Sequence, residues 1–313
     1  MLYLEVTPYQ TGYLDRGLHQ IYFEKSGNEN GVPIVFLHGG PGSGTQAWQR
    51  QFFDTKKFNI ILLDQRGCGQ SKPHACLEDN TTEHLVDDLH ALKMHLGFDK
   101  WHVIGGSWGS TLALAYADKF ADDILSIIMW GLFLCREREL FNLYYEGGVA
   151  SQVFADGFDA YINILPKEDR SQPIAAYHKI LNSDDKPLIK KALRAWKKWE
   201  VSISRLEMSA EDIEKSLACD EGVEAFSLIE NHYFMNKGFI DGDALIKRIG
   251  AKLKDIPVHI VQGRYDMVCP FKTAYELHKN IPHSHLNIIS NAGHSSKETA
   301  STAKIVKILN NLS

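Results

Sequence analysis

Hydrophobic residues in this chain fall into short runs that alternate with segments of helical spacing. Apolar runs bounded by turn-forming residues are typical of buried strands, and they occupy residues 33–37, 59–63, 101–104, 124–130, 258–262 and 286–289. Two shorter strand-like pieces, near residues 12–14 and 19–25, precede them. In between, Leu85, Leu89, Leu92 and Leu96 share one helical face, which predicts a helix that starts near Thr81. This alternation predicts an α/β fold with a mostly parallel sheet covered by helices on both faces.

The pattern changes between residues 135 and 250, where the spacing is helical almost throughout. The predicted helices there cover residues 137–146, 174–181, 187–202, 210–218 and 223–235. A long helical insertion between two strands would lie over the carboxyl edge of the sheet, where ligands bind in such folds. We therefore predict a core domain from residues 1–134 and 251–313, and a helical cap domain from residues 135–250.

Composition and charge exclude several classes of function. Of the 313 residues, 44% are hydrophobic and 23% are charged, which is an ordinary globular balance. The formal net charge of −5 gives no electrostatic reason to expect nucleic acid or an anionic membrane as a partner. Nothing in the pattern specifies an oligomeric state.

The five cysteines are odd in number and lack paired metal spacing, which argues against a disulfide framework and a zinc site. No metal or cofactor is predicted. The chain begins without a basic segment followed by an apolar one, and no apolar run is long enough to span a bilayer. We expect a cytoplasmic protein.

The strongest chemical signal is the sequence GGSWG at residues 105–109, between a predicted strand and a predicted helix. A serine held on a sharp strand-to-helix turn needs small residues two positions away on either side, because the backbone doubles back closely there. Gly105 and Gly109 meet this requirement. Ser107 is therefore predicted to be a nucleophile.

A glycine-dense turn, HGGPG at residues 38–42, follows the predicted strand 33–37. Its amides are unobstructed by side chains and can point at one place, as an oxyanion hole requires. Taken alone, the turn would be interpreted as a tight surface loop, but the downstream serine reverses that preference. We predict an oxyanion hole made by the amides of Gly40 and Trp108.

A serine nucleophile needs a base, and the base needs a carboxylate that orients it. Asp266 and His294 each come directly after a predicted strand, so that Ser, Asp and His follow one another in the order of the α/β-hydrolase arrangement. The competing carboxylate, Asp64, lies on the wrong strand for this order, and we expect it to pair with Arg66 in its own loop. The predicted triad is Ser107, Asp266 and His294.

These motifs resemble the prolyl aminopeptidases, or proline iminopeptidases, of the α/β-hydrolase superfamily, over most of the chain. The resemblance rests on residues 38–42, 64–67, 105–112, 263–266 with 269–270, and 292–295. Residues 195–200 and 229–234 also look like the two family segments whose glutamates hold the free amino terminus of the substrate. The resemblance implies the same triad, Glu200 and Glu230 as the amine anchor, and peptides with a free N-terminal proline as substrates.

The spacing of the cap residues agrees with such a role. Trp196 lies four residues before Glu200, and Phe226 and Phe234 lie four residues on either side of Glu230, so each helix places a carboxylate beside aromatics. A protonated N-terminal proline carries two N–H bonds on one cationic nitrogen, so two carboxylates can each accept one. Spacing alone would favour packed aromatics and solvated glutamates; the family resemblance reverses this preference.

Analogy with the family adds a predicted proline pocket, formed by Phe133, Tyr145, Phe234 and Cys269. Trp130 stands where the family commonly has arginine, and we expect it to shape the pocket entrance.

Two other functions stay open from the residues alone. A serine esterase or amidase of the same fold would use the same triad without recognising a terminal amine. A non-catalytic ligand receptor is less favoured, because the triad is intact. The predicted function is a serine aminopeptidase that releases N-terminal proline through an acyl-enzyme intermediate.

Overall fold

The computed structural model describes residues 1–312, which contain an eight-stranded sheet and twelve α-helices. The strands are β1 (Gln10–Arg16), β2 (His19–Gly27), β3 (Val32–Leu37), β4 (Phe58–Leu63), β5 (Trp101–Gly106), β6 (Ile124–Trp130), β7 (Val258–Gly263) and β8 (His285–Ile289). The helices are α1 (Thr82–His95), α2 (Trp108–Phe120), α3 (Glu137–Tyr144), α4 (Val149–Val153), α5 (Ala155–Ile162), α6 (Pro173–Leu181), α7 (Lys186–Ile203), α8 (Ala210–Ser216), α9 (Asp220–Met235), α10 (Gly242–Lys252), α11 (Phe271–Asn280) and α12 (Thr299–Asn310).

The strands are ordered β1-β2-β4-β3-β5-β6-β7-β8 across the sheet. β2 pairs antiparallel with β1 and β4, and every later pairing in the sheet is parallel. The carboxyl ends of β3, β5, β7 and β8 therefore lie along one edge, and the loops that follow them meet there. This architecture confirms the predicted α/β-hydrolase fold.

The central strands are buried on both faces, which explains their continuous hydrophobic runs. Alternate residues of β3 belong to two different cores. Val35 and Leu37 pack in the larger core, which also includes α1 and α2, whereas Ile34 and Phe36 pack in a second core with α12.

The segment between β6 and β7 contains helices α3 to α10 and no strand. Helices α3, α6, α7, α8 and α9 correspond to the helices predicted there, whereas α4, α5 and α10 were not predicted. α7 has a proline in its first turn, and the Asp185 carboxylate caps it by accepting from the Leu188 amide at 3.0 Å. α7 packs against α9, so the cap aromatics of both helices meet in one interior.

Within residues 1–312, no helix combines the length and the apolar character needed to cross a membrane.

Candidate active site

Ser107 occupies the single residue between the end of β5 and the start of α2. Its backbone has φ +55° and ψ −126°, a left-handed conformation that a residue with a side chain rarely adopts. A Cβ at Gly105 would lie 2.4 Å from the Gly109 carbonyl oxygen, and one at Gly109 would lie 2.2 Å from the Leu37 oxygen. Both positions therefore require glycine, and the turn holds the Ser107 side chain at the carboxyl edge of the sheet.

Asp266 and His294 are joined by a hydrogen bond of 2.9 Å between Nδ1 and Oδ2. The Asp266 carboxylate is fully buried and also accepts from the amides of Val268 at 3.0 Å and Cys269 at 2.7 Å. Gln262 also binds this carboxylate, because its Nε2 donates to Asp266 Oδ2 at 3.0 Å. Sequence reasoning missed Gln262, although its place near the end of β7, four residues before Asp266, was a usable signal.

The environment of His294 favours its protonated form. Burial lowers the pKa of the imidazole, but the charge of Asp266 and its hydrogen bond outweigh burial, and Glu200 and Glu298 add further negative charge. The net effect is a raised pKa. With Nδ1 donating to Asp266, Nε2 is left as the basic nitrogen of the neutral ring.

Ser107 and His294 line one cavity of about 310 Å³ together with Gly39 and Gly40. The amide of Trp108 is the first of α2, so no carbonyl of that helix can pair with it. The positive end of the α2 dipole lies at the same place. Gly40, whose backbone has φ +101°, lines the cavity.

The loop with Gly39 and Gly40 is fixed by His38. The Gln65 amide donates to His38 Nε2 at 3.0 Å, so Nδ1 carries the hydrogen and donates to the Gly39 oxygen at 2.9 Å. Burial lowers the pKa of His38, in agreement with a neutral ring. His38 thus positions the glycine turn.

The expected Asp64–Arg66 pair is wrong. Arg66 instead donates to Asp88, from Nε at 2.7 Å and from Nη2 at 2.8 Å. Asp64 accepts from the amide and the hydroxyl of Thr45 and from the Gln70 amide. The loops that contain Thr45 and Gln70 bring these donors to Asp64, whereas the Arg66 side chain points towards α1.

Glu200 on α7 and Glu230 on α9 are bridged by one phenol. The Tyr144 hydroxyl lies 3.1 Å from Oε2 of each carboxyl group, and Trp196 Nε1 donates to Glu230 Oε2 at 2.6 Å. Glu200 lines the cavity of Ser107, and Glu230 lies behind it, fully buried. Among residues 1–312, no amide, hydroxyl or ring N–H donates to Glu230 Oε1.

Both carboxyl groups have raised pKa values. Burial is the main cause of the rise for each group. The rise is large for Glu230, where the negative charge of Glu200 is the second cause. A cation placed beside them would relieve both effects. Sequence reasoning missed Tyr144, because its helix, α3, meets α7 and α9 only in the folded protein.

The predicted pocket residues lie in different surroundings. Phe133 and Phe234 are buried and pack edge-to-face with ring centroids 5.7 Å apart. Cys269 is buried with its side chain near that of Ser107, and burial raises the pKa of its thiol. Tyr145 stacks on Phe141 and lines a separate groove of about 480 Å³.

The apolar wall of the Ser107 cavity is formed by other residues. They are Trp48, Trp130, Val201, Met208 and Phe226. Trp130, for which we expected a position at the pocket entrance, is thus part of this wall.

Residues 1–312 contain no group of three His, Cys, Asp or Glu side chains that could hold a metal ion.

Comparisons with known proteins relate both the sequence and the fold to characterised families. The family model of the α/β hydrolase fold matches residues 32–301. The chain is 45% identical to a probable proline iminopeptidase of Leptolyngbya boryana, with 97% of this chain and 94% of the relative covered. It is also 45% identical to a proline iminopeptidase of Arabidopsis thaliana (97% and 80% covered) and 43% identical to one of Neisseria gonorrhoeae (92% and 91% covered).

Solved structures show the same fold at lower sequence identity. An α/β fold family hydrolase from Bacillus anthracis superposes with a TM-score of 0.64 at 19% identity, with 98% of this chain and 100% of that chain covered. An esterase from Exiguobacterium antarcticum gives a TM-score of 0.65 at 18% identity, with 96% and 100% covered. These two similarities concern the fold alone.

Proposed function

The chain belongs to the proline iminopeptidase family within the α/β hydrolases, and from this premise we propose that it is a serine aminopeptidase that releases N-terminal proline from peptides. One observation carries the assignment of substrate. The buried oxygen Glu230 Oε1 has no amide, hydroxyl or ring N–H donor among the described residues, and a hydrogen bond between Glu200 and Glu230 needs a proton on one of the two carboxyl groups. Glu200, which shares the Tyr144 hydroxyl with Glu230, lines the cavity of Ser107. A buried acceptor without a donor costs free energy, and a protonated amine would supply the missing donor.

The substrate binds with its ammonium between the two carboxylates. The two N–H bonds of a prolyl ammonium match two acceptors in charge-assisted geometry. Tyr144 and Trp196 hold the carboxylates in place, because they donate to Glu230 Oε2 from two other elements of the cap. The amine anchor thereby fixes how far the first carbonyl carbon of the peptide lies from Ser107.

Acylation follows from the hydrogen bonds of the triad. Ser107 Oγ attacks the prolyl carbonyl carbon while His294 Nε2 takes the hydroxyl proton, and Asp266 stabilises the resulting imidazolium. The amides of Gly40 and Trp108 bind the negative oxygen of the tetrahedral intermediate, and loss of one such donor typically costs about 3 kcal/mol. His294 then gives its proton to the leaving peptide nitrogen, the C–N bond breaks and the acyl-enzyme remains.

Deacylation repeats the sequence with water. His294 Nε2 takes a proton from a water molecule that attacks the acyl carbon, and returns it to Ser107 Oγ as the ester bond breaks. Free proline is released.

We assign the two parts of the chain different tasks. Residues 1–134 and 251–313 form a core domain that supplies the triad and the oxyanion hole, and residues 135–250 form a cap domain that supplies the amine anchor. The pocket for the pyrrolidine ring includes Phe133 and Phe234, whose rings contact each other, and the Phe234 ring also contacts that of Tyr144. We also propose a reducing, cytoplasmic location, which is supported by five free cysteines.

The test compares proline β-naphthylamide, its N-acetylated form and a simple naphthyl ester, with the native enzyme and Ser107→Ala. We expect fast release of naphthylamine from the free prolyl amide alone. The Ser107→Ala variant should lose this activity, and it should no longer be labelled by a fluorophosphonate. Undiminished hydrolysis of the N-acetylated amide would remove Glu200 and Glu230 from the amine anchor. Ester cleavage without prolyl amidase activity would contradict the proposed function.

A further inference from the structure

The charges along the Ser107 cavity are unevenly distributed. Glu200 is the single carboxylate in its lining, whereas Lys197, Arg205 and Lys297 contribute three cationic side chains. Lys197 is already engaged, because its Nζ donates to the Gly222 oxygen at 2.9 Å. The other two cations need a separate explanation.

Arg205 and Lys297 lie near each other without an acidic partner. Within residues 1–312, neither side chain makes an ion pair with a carboxylate. Burial and the charge of Arg205 lower the pKa of Lys297, and Asp212 only partly offsets them. Lys297 Nζ lies 4.6 Å from the ring centroid of Trp48, which also lines the cavity.

The acidic residues closest to this pair make no ion pair with it, and one of them, Glu298, is bound by backbone amides. Arg205 and Lys297 also border a shallow surface cavity that contains Glu207 and Glu298. The Glu298 carboxylate accepts from the amides of Gly293 at 2.7 Å and Leu206 at 3.1 Å. It therefore fixes the backbone next to the two cations, and their charges are left available to a ligand.

The backbone places both cations beside His294. The Ser204 oxygen accepts from the amides of His294 at 3.2 Å and Ser295 at 2.9 Å, and Arg205 is the next residue after Ser204. Lys297 follows His294 by three residues. In acyl transfer by a serine triad, the histidine protonates the leaving amine, so the leaving part of the substrate must lie next to this side chain. The cations thus border the side of the cavity through which the peptide leaves.

We propose that Arg205 and Lys297 bind the C-terminal carboxylate of a short peptide, so that the enzyme favours dipeptides and tripeptides beginning with proline. The cavity then matches both charged ends of its substrate, with Glu200 and Glu230 at the ammonium and the two cations at the carboxylate. Each further residue moves the carboxylate outward by up to about 3.3–3.6 Å, so longer peptides lose this contact. The inference rests on the proposed function and adds a class of substrate to it.

The experiment measures kcat/KM for Pro-Gly and for its C-terminal amide, Pro-Gly-NH2, at low ionic strength. The variants are Arg205→Gln, Lys297→Gln and the double variant, and the control is Lys252→Gln, which removes an exposed cation of α10 that does not line the cavity. We expect the native enzyme and the control to prefer the free carboxylate by about tenfold, since hydrogen bonds to a charged group are worth more than neutral ones. The double variant should lose the preference.

The outcomes separate this inference from the proposed function. Cleavage of both substrates at equal rates by the native enzyme would overturn the inference and leave the prolyl aminopeptidase intact. A preference for Pro-Gly that survives in the double variant would also overturn it. Failure of the native enzyme to release proline from either substrate, or from proline β-naphthylamide, would refute the proposed function itself. A preference lost in the double variant and retained in Lys252→Gln would support the inference.

Discussion

Gly131 lies directly against the imidazole of His294. A Cβ at Gly131 would be 2.6 Å from Cε1 of His294 and 2.7 Å from Nδ1, and the backbone there has φ +52°. The position right after β6 therefore leaves room for the ring that pairs with Asp266, and any side chain at Gly131 would displace that ring.

Gly131→Ala should lower kcat/KM for proline β-naphthylamide by roughly 100-fold, because a shift of about 1 Å in a catalytic group can cost that much. The matched control is Gly147→Ala, which has a similar positive φ of +82° but meets only Phe141, at 4.0 Å, far from the triad. Both variants carry backbone strain, so melting temperatures measured beside the rates separate strain from displacement. Equal loss of activity in the two variants would contradict the displacement of His294.

Tyr144→Phe removes the hydroxyl that lies 3.1 Å from both cap carboxylates. We expect kcat/KM for the prolyl amide to fall about 10- to 100-fold, mainly through KM, since a hydrogen bond to a charged group contributes about 1.5–3 kcal/mol. Tyr145→Phe is the matched comparison, because Tyr145 is the tyrosine that the family resemblance predicts for the pocket. A larger loss in Tyr145→Phe than in Tyr144→Phe would favour the prediction made from the sequence.

Glu230→Gln should make the protein more stable at pH 8 while it weakens the preference for a free amine. Burial and the charge of Glu200 raise the pKa of Glu230 above its ordinary value of 4.5, so the native state binds the proton more tightly than the unfolded chain. Stability from this group is therefore present below about pH 4.5 and is lost as the pH rises through the folded pKa. The amide side chain of the variant would keep an oxygen that accepts from Trp196 without carrying the charge.

Thermal unfolding of Glu230→Gln and the native protein between pH 4 and 8 checks this linkage. The difference in melting temperature should be largest at pH 8 and should shrink towards pH 4. Glu221→Gln, which changes an exposed glutamate of the same helix, is the control. A difference that does not depend on pH would count against a buried, charge-sensitive carboxyl group.

Glu200→Gln should move the acidic limb of the pH–rate profile to lower pH. The negative charge of Glu200 contributes to the raised pKa of His294, and catalysis needs the neutral ring as a base. The native enzyme should therefore lose activity at a pH above 6.5, the ordinary value for histidine, and the variant at a lower pH. The readout is the rate at which a fluorophosphonate labels Ser107, because this reaction needs His294 as a base and does not depend on the amine anchor.

The control for this shift is Glu207→Gln, which changes an exposed glutamate outside the cavity of Ser107. Identical acidic limbs in Glu200→Gln and the native enzyme would show that the charge of Glu200 does not reach His294.

Patterns among residues close together in the sequence predicted much of the fold. Predicted strands 124–130 and 101–104 match β6 and the first part of β5, because continuous apolar runs bounded by turns can be buried on both faces only as central strands. The short helices α4 and α5 were not predicted, since their few turns give too weak a periodicity. Arg66 pairs with Asp88 instead of Asp64, because helix α1 brings the Asp88 carboxylate close to Arg66. The distance between two residues along the sequence does not reveal such a contact.

The sequence by itself determined the features that depend on neighbours along the chain. These are the sharp turn at Ser107 with its flanking glycines, the order Ser, Asp, His after three different strands, and a carboxylate on each of two cap helices. Only the tertiary structure decided which groups these residues meet. Tyr144 contacts Glu200 and Glu230 across separations of 56 and 86 residues, and Arg205 comes beside His294 through a backbone contact between the cap and the last strand loop. Such contacts depend on how whole helices pack, and packing is set by the shapes of many side chains together instead of by any local pattern.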